Sequence, residues 1–527
     1  MSDDIGARRL LVRDLAQLAT PAGTRTPLRG AALREVDVVD DAYILCKDGR
    51  IVAAGPMRGL DATLGGDTSR IEELDGRGLC AVPGLVDCHT HACFGGDRVA
   101  EFELRSTGAS YEELHAAGGG ILATVEATRA AGEAGLADAV RRHRGWMRRA
   151  GTTTFEAKSG YGLDRDTELA SLRAIRDAGG SPTWLGAHAV PPEFDKADEY
   201  LDFALTEVLP EAARVALAAD VFVEEGAFSV EHARRYLEAC RGAGLSLRLH
   251  GDQFTELGAI PLAIDLGARS VDHLEATGET GVRALASSDV TAVLLPASAL
   301  YLDRPMPPGR ALVDAGAVVA LATDFNPGSA FCESLPLVTS LAVTQLHLTP
   351  AEALSACTVN AAHVLGRGAE TGRIAPGYAA DLVLLAAPDW RYLSYHLGGP
   401  VIAGVIEAGE VAWTAADGAD EPAARRAEPA RRRDGKERRN GAKGGRASGA
   451  GIREVKPPAW SRSVKRAALF LPLFFIVFSL VNKSMPVETR VLSSAAYSAL
   501  FVPLTYMMDR MAYRTYLRRS GRRPAKD

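Results

Sequence analysis

The sequence predicts an α/β protein built on a (β/α)8 barrel, with a small β domain assembled from the segments on either side of it. Three observations carry this reading. Eight short apolar runs recur through the middle of the chain, several followed by helical stretches. Strand–helix alternation implies a parallel sheet, and eight units in roughly 250 residues suit a closed barrel. Short β pieces flank this middle on both sides, and polar residues of one chemical type recur where the runs end.

From about Leu10 to Ala81 the chain reads as short strands and turns. Tyr43–Cys46, Asp48-Gly49 and Ile51–Ala53 make a hairpin signal, because Asp-Gly supplies the positive φ of a tight turn. Far along the chain, Asp381–Leu385 reads as one strand and Val401–Trp413 as two more around Ala408-Gly409. Residues 1–82 and 365–415 are therefore expected to form a composite β-sandwich, and residues 83–364 the barrel. The eight runs are Leu85–His91, Thr152–Lys158, Thr183–His188, Val221–Glu225, Leu245–His250, Ser270–His273, Ala292–Pro296 and Val318–Asp324. Helices are expected at Glu133–Ala150, Asp166–Ala178 and Val230–Ala243.

Composition narrows the function. The 527 residues suggest two or three units, and 47% hydrophobic residues allow a large core. A net charge of -6 gives no sign of a nucleic-acid partner. Seven dispersed cysteines form no CxxC pair, and MSDDIGARRLLVRDL has no apolar leader segment, so reduced thiols in the cytoplasm are expected. Residues 416–461, dominated by Ala, Arg, Gly, Glu and Lys, read as a disordered linker. Residues 462–527 contain the apolar stretches Ala467–Val481 and Val491–Met508, with Lys465 and Arg466 before them and Arg510 and Arg514 after. That pattern suggests a transmembrane helical hairpin making a membrane contact through residues 467–508. An amphipathic oligomerisation hairpin and a neighbouring reading frame fused by a lost stop codon are the alternatives.

The chemistry concentrates at the ends of the runs. Pro83-Gly84-Leu85-Val86-Asp87-Cys88-His89-Thr90-His91 places two histidines at i and i+2, on one face of a strand end. At the C-terminal mouth of a barrel both reach one metal. His250 ends the fifth run, His273 the sixth and Asp324 the eighth. Singly, a strand-end histidine can be a hydrogen-bonded core residue, and Asp324 can cap a helix. Together they are hard to assign to packing. Imidazole and carboxylate ligands suit zinc or non-haem iron, which would lower the pKa of a bound water.

Longer strings carry a resemblance. They are His89–Leu114 (HTHACFGGDRVAEFELRSTGASYEEL), Ala116–Arg129 (AAGGGILATVEATR), Glu156–Leu163 (EAKSGYGL), Gly186–Glu193 (GAHAVPPE), Val271–Glu275 (VDHLE) and Thr323–Ser329 (TDFNPGS). With the order His-x-His, His, His, Asp along the barrel, the chain resembles the amidohydrolase superfamily. Over roughly residues 5–415 it resembles the imidazolonepropionase family within it. The resemblance implies hydrolysis of a cyclic amide in histidine breakdown, with one zinc or iron ion per subunit held by His89, His91, His250 and Asp324. It further implies that Arg98, Tyr161 and His188 bind the substrate and that Asn326, Gly328 and Ser329 line the product side. His273 would act near the bound water.

Where some members carry a glutamate, this chain has Gln253, which leaves Asp252 or Asp324 to carry protons and Gln253 to hydrogen-bond the ring. Arg98 offers a carboxylate a planar fork that lysine does not. His188 either polarises the carbonyl or satisfies a buried backbone group. Lys158 invites comparison with the carbamate lysine of binuclear relatives, but that lysine belongs on the fourth strand, where this chain has Glu224-Glu225. Gly118-Gly119-Gly120 lacks the Walker lysine and reads as a substrate loop or helix entry, and Cys88 as a small buried filler. A homodimer is expected. The competing readings are a deaminase of a nitrogen heterocycle, which Arg98 and KSGYGL disfavour, and a non-catalytic barrel, which the intact ligand set disfavours.

Overall fold

The computed structural model describes residues 8–66, 70–107, 119–416, 486–489 and 491. The chain divides into two units, Met1–Ala427 and Glu428–Asp527. The linker and both apolar stretches of the tail lie outside the described residues, apart from Val491. Among the described residues no helix is long and apolar enough to cross a membrane.

Eight parallel strands form the barrel: β6 (Leu85–Asp87), β7 (Thr152–Lys158), β8 (Ser181–Ala187), β9 (Ala218–Phe222), β10 (Ser246–Gly251), β11 (Ser270–His273), β12 (Thr291–Leu294) and β13 (Val318–Leu321). They hydrogen-bond in sequential order from β6 to β13. Strands covered on both faces read as continuous apolar runs, and Val318-Val319-Ala320-Leu321 is wholly buried. β7 and β11 have the bounds expected from sequence. β9 ends earlier than expected, so Glu224-Glu225 belong to the loop after it. The helix that leads into β7 starts at Ile121, well before Glu133, and is interrupted at Gly132, whose φ of 62° and ψ of 176° no helix accommodates. Helix Arg165–Asp177 is capped by Asp164, which accepts from the Thr167 N–H, and helix Val230–Gly242 by a Ser229–His232 capping box.

Strands from both ends of the barrel chain share a second sheet. β1 (Arg9–Pro21), β2 (Val36–Lys47), β3 (Arg50–Pro56), β4 (Ile71–Asp75) and β5 (Cys80–Pro83) join β14 (Leu382–Leu385), β15 (Ile402–Glu407) and β16 (Glu410–Thr414). The two parts meet where β14 pairs antiparallel with β5, Val383 opposite Val82. In its hydrogen bonding this is one continuous eight-stranded sheet, bent at the β1–β2 register shift between Val12 and Leu15. Leu10, Val12, Ile44, Ile51, Leu382, Leu384 and Ile406 pack as one aliphatic cluster on it.

Candidate active site

The barrel is pinned shut beyond its strands. Past the ends of β6 and β13, Thr90 bridges Phe325, the His91 N–H donates to the Phe325 carbonyl (2.9 Å), and the Asp324 N–H donates to the His89 carbonyl (3.1 Å). These bonds bring Asp324 to the His-x-His pair. Asp324 adopts φ 55° and His273 φ 86°, left-handed conformations rare for side-chain-bearing residues and concentrated at functional strand ends.

Five predicted residues come together in the mouth of the barrel. The Asp324 Oδ1 lies 3.5 Å from the Nε2 atoms of both His89 and His91. The His250 and His91 Nε2 atoms face each other at 3.2 Å. His89, His91 and Asp324 form one cluster with metal-ligand spacing, and His89, His250 and His273 another. The far side of the rings decides their protonation. His89 Nδ1 donates to Asp272 (2.5 Å) and His250 Nδ1 donates to Asp220 (3.1 Å), so in the neutral rings both Nε2 atoms carry lone pairs. The His89 Nε2 is buried without a hydrogen-bond partner. Inward-facing, unprotonated nitrogens beside a carboxylate are a donor set that fits a metal cation.

Burial, followed by Lys158 and the neighbouring imidazoles, holds the His89 pKa well below the ordinary histidine value. Burial and then His250 do the same for His91. Burial pulls His273 down, but Glu275, 3.4 Å from its Nδ1, and then Asp324 and Asp272 outweigh it, and its pKa is raised. Burial pushes Asp87 up to about 7, against its bonds from Thr323.

A cavity of about 640 Å³ opens over this cluster, and Arg98, Tyr161, His188, Gln253, Asn326, Gly328 and Ser329 all line it. Arg98 is held bidentately by Glu101 (2.7 and 2.5 Å) and lies so close to Gly328 that a Cβ there would sit 2.3 Å from its Nη1. The Asn326 amide donates to the Asp324 carbonyl (2.7 Å) and Ser329 Oγ (2.6 Å) and accepts from the Gly328 and Ser329 N–H groups, so it frames the loop. His188 Nδ1 donates to the Gly160 carbonyl (2.9 Å), and burial, then His250, lowers its pKa to about 3. Of the two readings of His188, the bond to the Gly160 carbonyl matches the one that satisfies a buried backbone group, and it leaves Nε2 as an acceptor in the neutral ring.

Asp252 is not part of the cavity wall. Its carboxylate accepts from Thr277 Oγ1 (2.9 Å), and burial raises its pKa to about 6. Sequence reasoning missed Glu101 and Arg105, which flank Arg98 in the wall, and Glu224, which accepts from the Phe254 and Thr255 N–H groups (2.9 and 3.2 Å). It also missed Asp220 and Asp272 as histidine partners, because both pairings join different strands of the barrel. Gly120, read as part of a substrate loop or a helix entry, precedes the helix that starts at Ile121 and also lines the cavity, its N–H held by Glu101 (2.8 Å).

Comparison with known proteins agrees with this geometry. Residues 80–419 match the model of the Amidohydrolase family. Two solved structures share the fold: an adenosine deaminase from Xanthomonas campestris with bound zinc (TM-score 0.58, 19% identity, 77% of this chain and 93% of that one) and Escherichia coli guanine deaminase (TM-score 0.58, 15% identity, 78% and 99%). The chain belongs to the amidohydrolase family. Within it, the chain is 60% identical to an imidazolonepropionase of Rubrobacter xylanophilus over 413 residues, 76% of this chain and 97% of that protein. It is 47% identical to one of Chloroflexus aggregans, covering 77% and 98%. Among the amidohydrolases it stands with the imidazolonepropionases.

Proposed function

We infer that this enzyme hydrolyses the ring amide of 4-imidazolone-5-propanoate to N-formimidoyl-L-glutamate, a step of histidine degradation. The observation that carries the reading is 60% identity to an imidazolonepropionase over nearly its whole length, with the cavity intact above the histidine cluster.

His89, His91, His250 and Asp324 would hold one zinc or iron ion. Bound there, the metal would acidify a water and polarise the substrate carbonyl. The chain's own residues do the rest. Arg98 takes the propanoate carboxylate, sharing its fork with Glu101. Tyr161, whose ring lies 5.2 Å from that of His188, closes the cavity beside the substrate ring. His188 Nε2 accepts a ring N–H and so orients the amide, while Gln253 hydrogen-bonds the ring edge. Asn326, Gly328 and Ser329 line the product side. Asp324, whose Oδ2 also accepts from Ser329 Oγ (3.1 Å), takes a proton from the water. The water oxygen bonds to the carbonyl carbon, the carbon–nitrogen bond breaks, and Asp324 with His273 returns that proton to the leaving nitrogen. Asp252 supports the loop after β10.

The proposal further includes a homodimer, and, on composition alone, a cytoplasmic enzyme that contacts the membrane through residues 467–508. A chain ending near Asp420 would then leave the membrane pellet with its kcat/KM unchanged. The decisive experiment is turnover of imidazolone propanoate with and without a chelator. Absence of turnover by metal-loaded protein overturns the reading.

A further inference from the structure

Lys158 ends β7 with its side chain fully buried. An ammonium there must be matched, and two carboxylates match it: its Nζ donates to Glu156 Oε1 (2.8 Å) and ion-pairs with Asp220 Oδ2 (2.8 Å). Both contacts engage the Nζ as an ammonium, in line with the sequence reading that places a carbamate lysine on another strand.

Both carboxylates have a second task. Asp220 Oδ1 takes the Nδ1–H of His250, which aims its bare Nε2 at the cluster. Glu156 braces the turn between His89 and His91. Its Oε2 accepts from the Thr90 N–H (3.1 Å), and its carbonyl accepts from Thr90 Oγ1 (2.6 Å). The Lys158 N–H itself donates to the Thr90 carbonyl (2.9 Å). One cation thus touches the supports of three histidines. We propose that Lys158 is a positioning residue for the metal ligands: through Asp220 and Glu156 it orients His250 and the His89–His91 turn, and so sets how tightly the site holds its metal. The inference rests on the reading that His89, His91, His250 and Asp324 hold a metal.

The two carboxylates are unequal. Glu156 also has Arg248 at 3.1 Å, whereas the ion-pair partners of Asp220 among the described residues are Lys158 and His250. Loss of Lys158 therefore falls first on Asp220 and His250. Interactions that orient a ligand typically change metal affinity by about 10–100-fold.

The experiment measures zinc affinity of metal-free full-length protein by competition with a chromophoric chelator, with near-UV circular dichroism to verify folding. Cobalt-loaded protein supplies a visible spectrum that reports ligand geometry independently of turnover. Lys158→Met is expected to weaken zinc binding about 10–100-fold and to alter the cobalt bands. A folded Lys158→Met protein with affinity within about twofold of wild type and an unchanged cobalt spectrum overturns the proposal. Should Lys158→Met fail to fold, Asp220→Asn, which keeps the volume and the acceptor, is expected to show the same loss, and wild-type affinity there overturns it equally. Wild-type protein that binds no zinc at all would sink the metal reading itself, and this inference with it.

Discussion

The barrel mouth and the composite sheet use the same backbone device for different ends. In the sheet, left-handed residues sit at turns and bulges: Asp48 beside Gly49, Ala408 beside Gly409, and Asp14 at the β1–β2 register shift. Their side chains end a strand or bend it. In the mouth the left-handed residues include His273 and Asp324, and both point chemistry into the cavity. The interiors differ likewise. The sheet buries an aliphatic cluster, whereas the mouth buries imidazoles, carboxylates and Lys158 in a network of bonds. Packing tolerates an approximate shape, while a ligand set needs each donor aimed, and the two regions should therefore fail differently under mutation.

The largest expected effect is in the mouth. Asp324→Ala should lower kcat/KM by at least about 10²–10³-fold, the scale on which loss of a principal electrostatic group falls. The metal-free protein should retain its circular dichroism and the metal content should drop. Full metal retention in an inactive variant would break the ligand assignment.

The mirror experiment lies in the sheet. Leu382 is fully buried, and Leu382→Ala should cost about 2–5 kcal/mol of stability in denaturant titration. Below its melting temperature the variant should keep the wild-type kcat, and a loss of kcat there would mean that the two regions are coupled. A smaller change sharpens the recognition half of the mouth. Arg98→Lys should raise KM for imidazolone propanoate about 10- to 100-fold, corresponding to about 1.5–3 kcal/mol for a charge-assisted hydrogen bond, with little change in melting temperature.

The smallest effect concerns the seam between the regions. Glu352 accepts from Arg34 (2.8 Å), from Arg310 (2.9 and 3.1 Å) and from the Thr349 N–H (2.6 Å). Burial would raise its pKa, but Arg310, Thr349 and Arg34 outweigh it and lower it to about 2 from 4.5. A carboxylate with a depressed folded pKa contributes stability that is complete above its unfolded pKa and disappears as pH falls through the folded one. The melting-temperature gap between wild type and Glu352→Gln should therefore be widest near neutrality and close between about pH 4.5 and 2. A gap constant across that range would remove the ionised carboxylate from the seam.

Much of the architecture was legible in one dimension. The alternation of short strands with helical stretches brought out Thr152–Lys158 and Ser270–His273 with correct bounds, although both carry buried polar residues such as Glu156, Lys158, Asp272 and His273. The Asp-Gly and Ala-Gly turns marked the hairpins of the composite sheet, because few residue pairs accept those dihedrals. His89, His91, His250, His273 and Asp324 were legible as a group, since a barrel gathers the ends of its strands at one face whatever their separation in sequence.

What the sequence by itself determined is thus the order of elements and which residue types reach the mouth. Only the tertiary structure decided which neighbours they meet. His89 and Asp272 are 183 residues apart, and nothing local predicts that one accepts the proton of the other. The same holds for His188 with the Gly160 carbonyl and for Lys158, which periodicity places at a strand end but cannot pair with Asp220. The physical reason is that periodicity reports the face a side chain occupies, whereas protonation state and hydrogen-bond role depend on atoms within about 3 Å across the closed barrel.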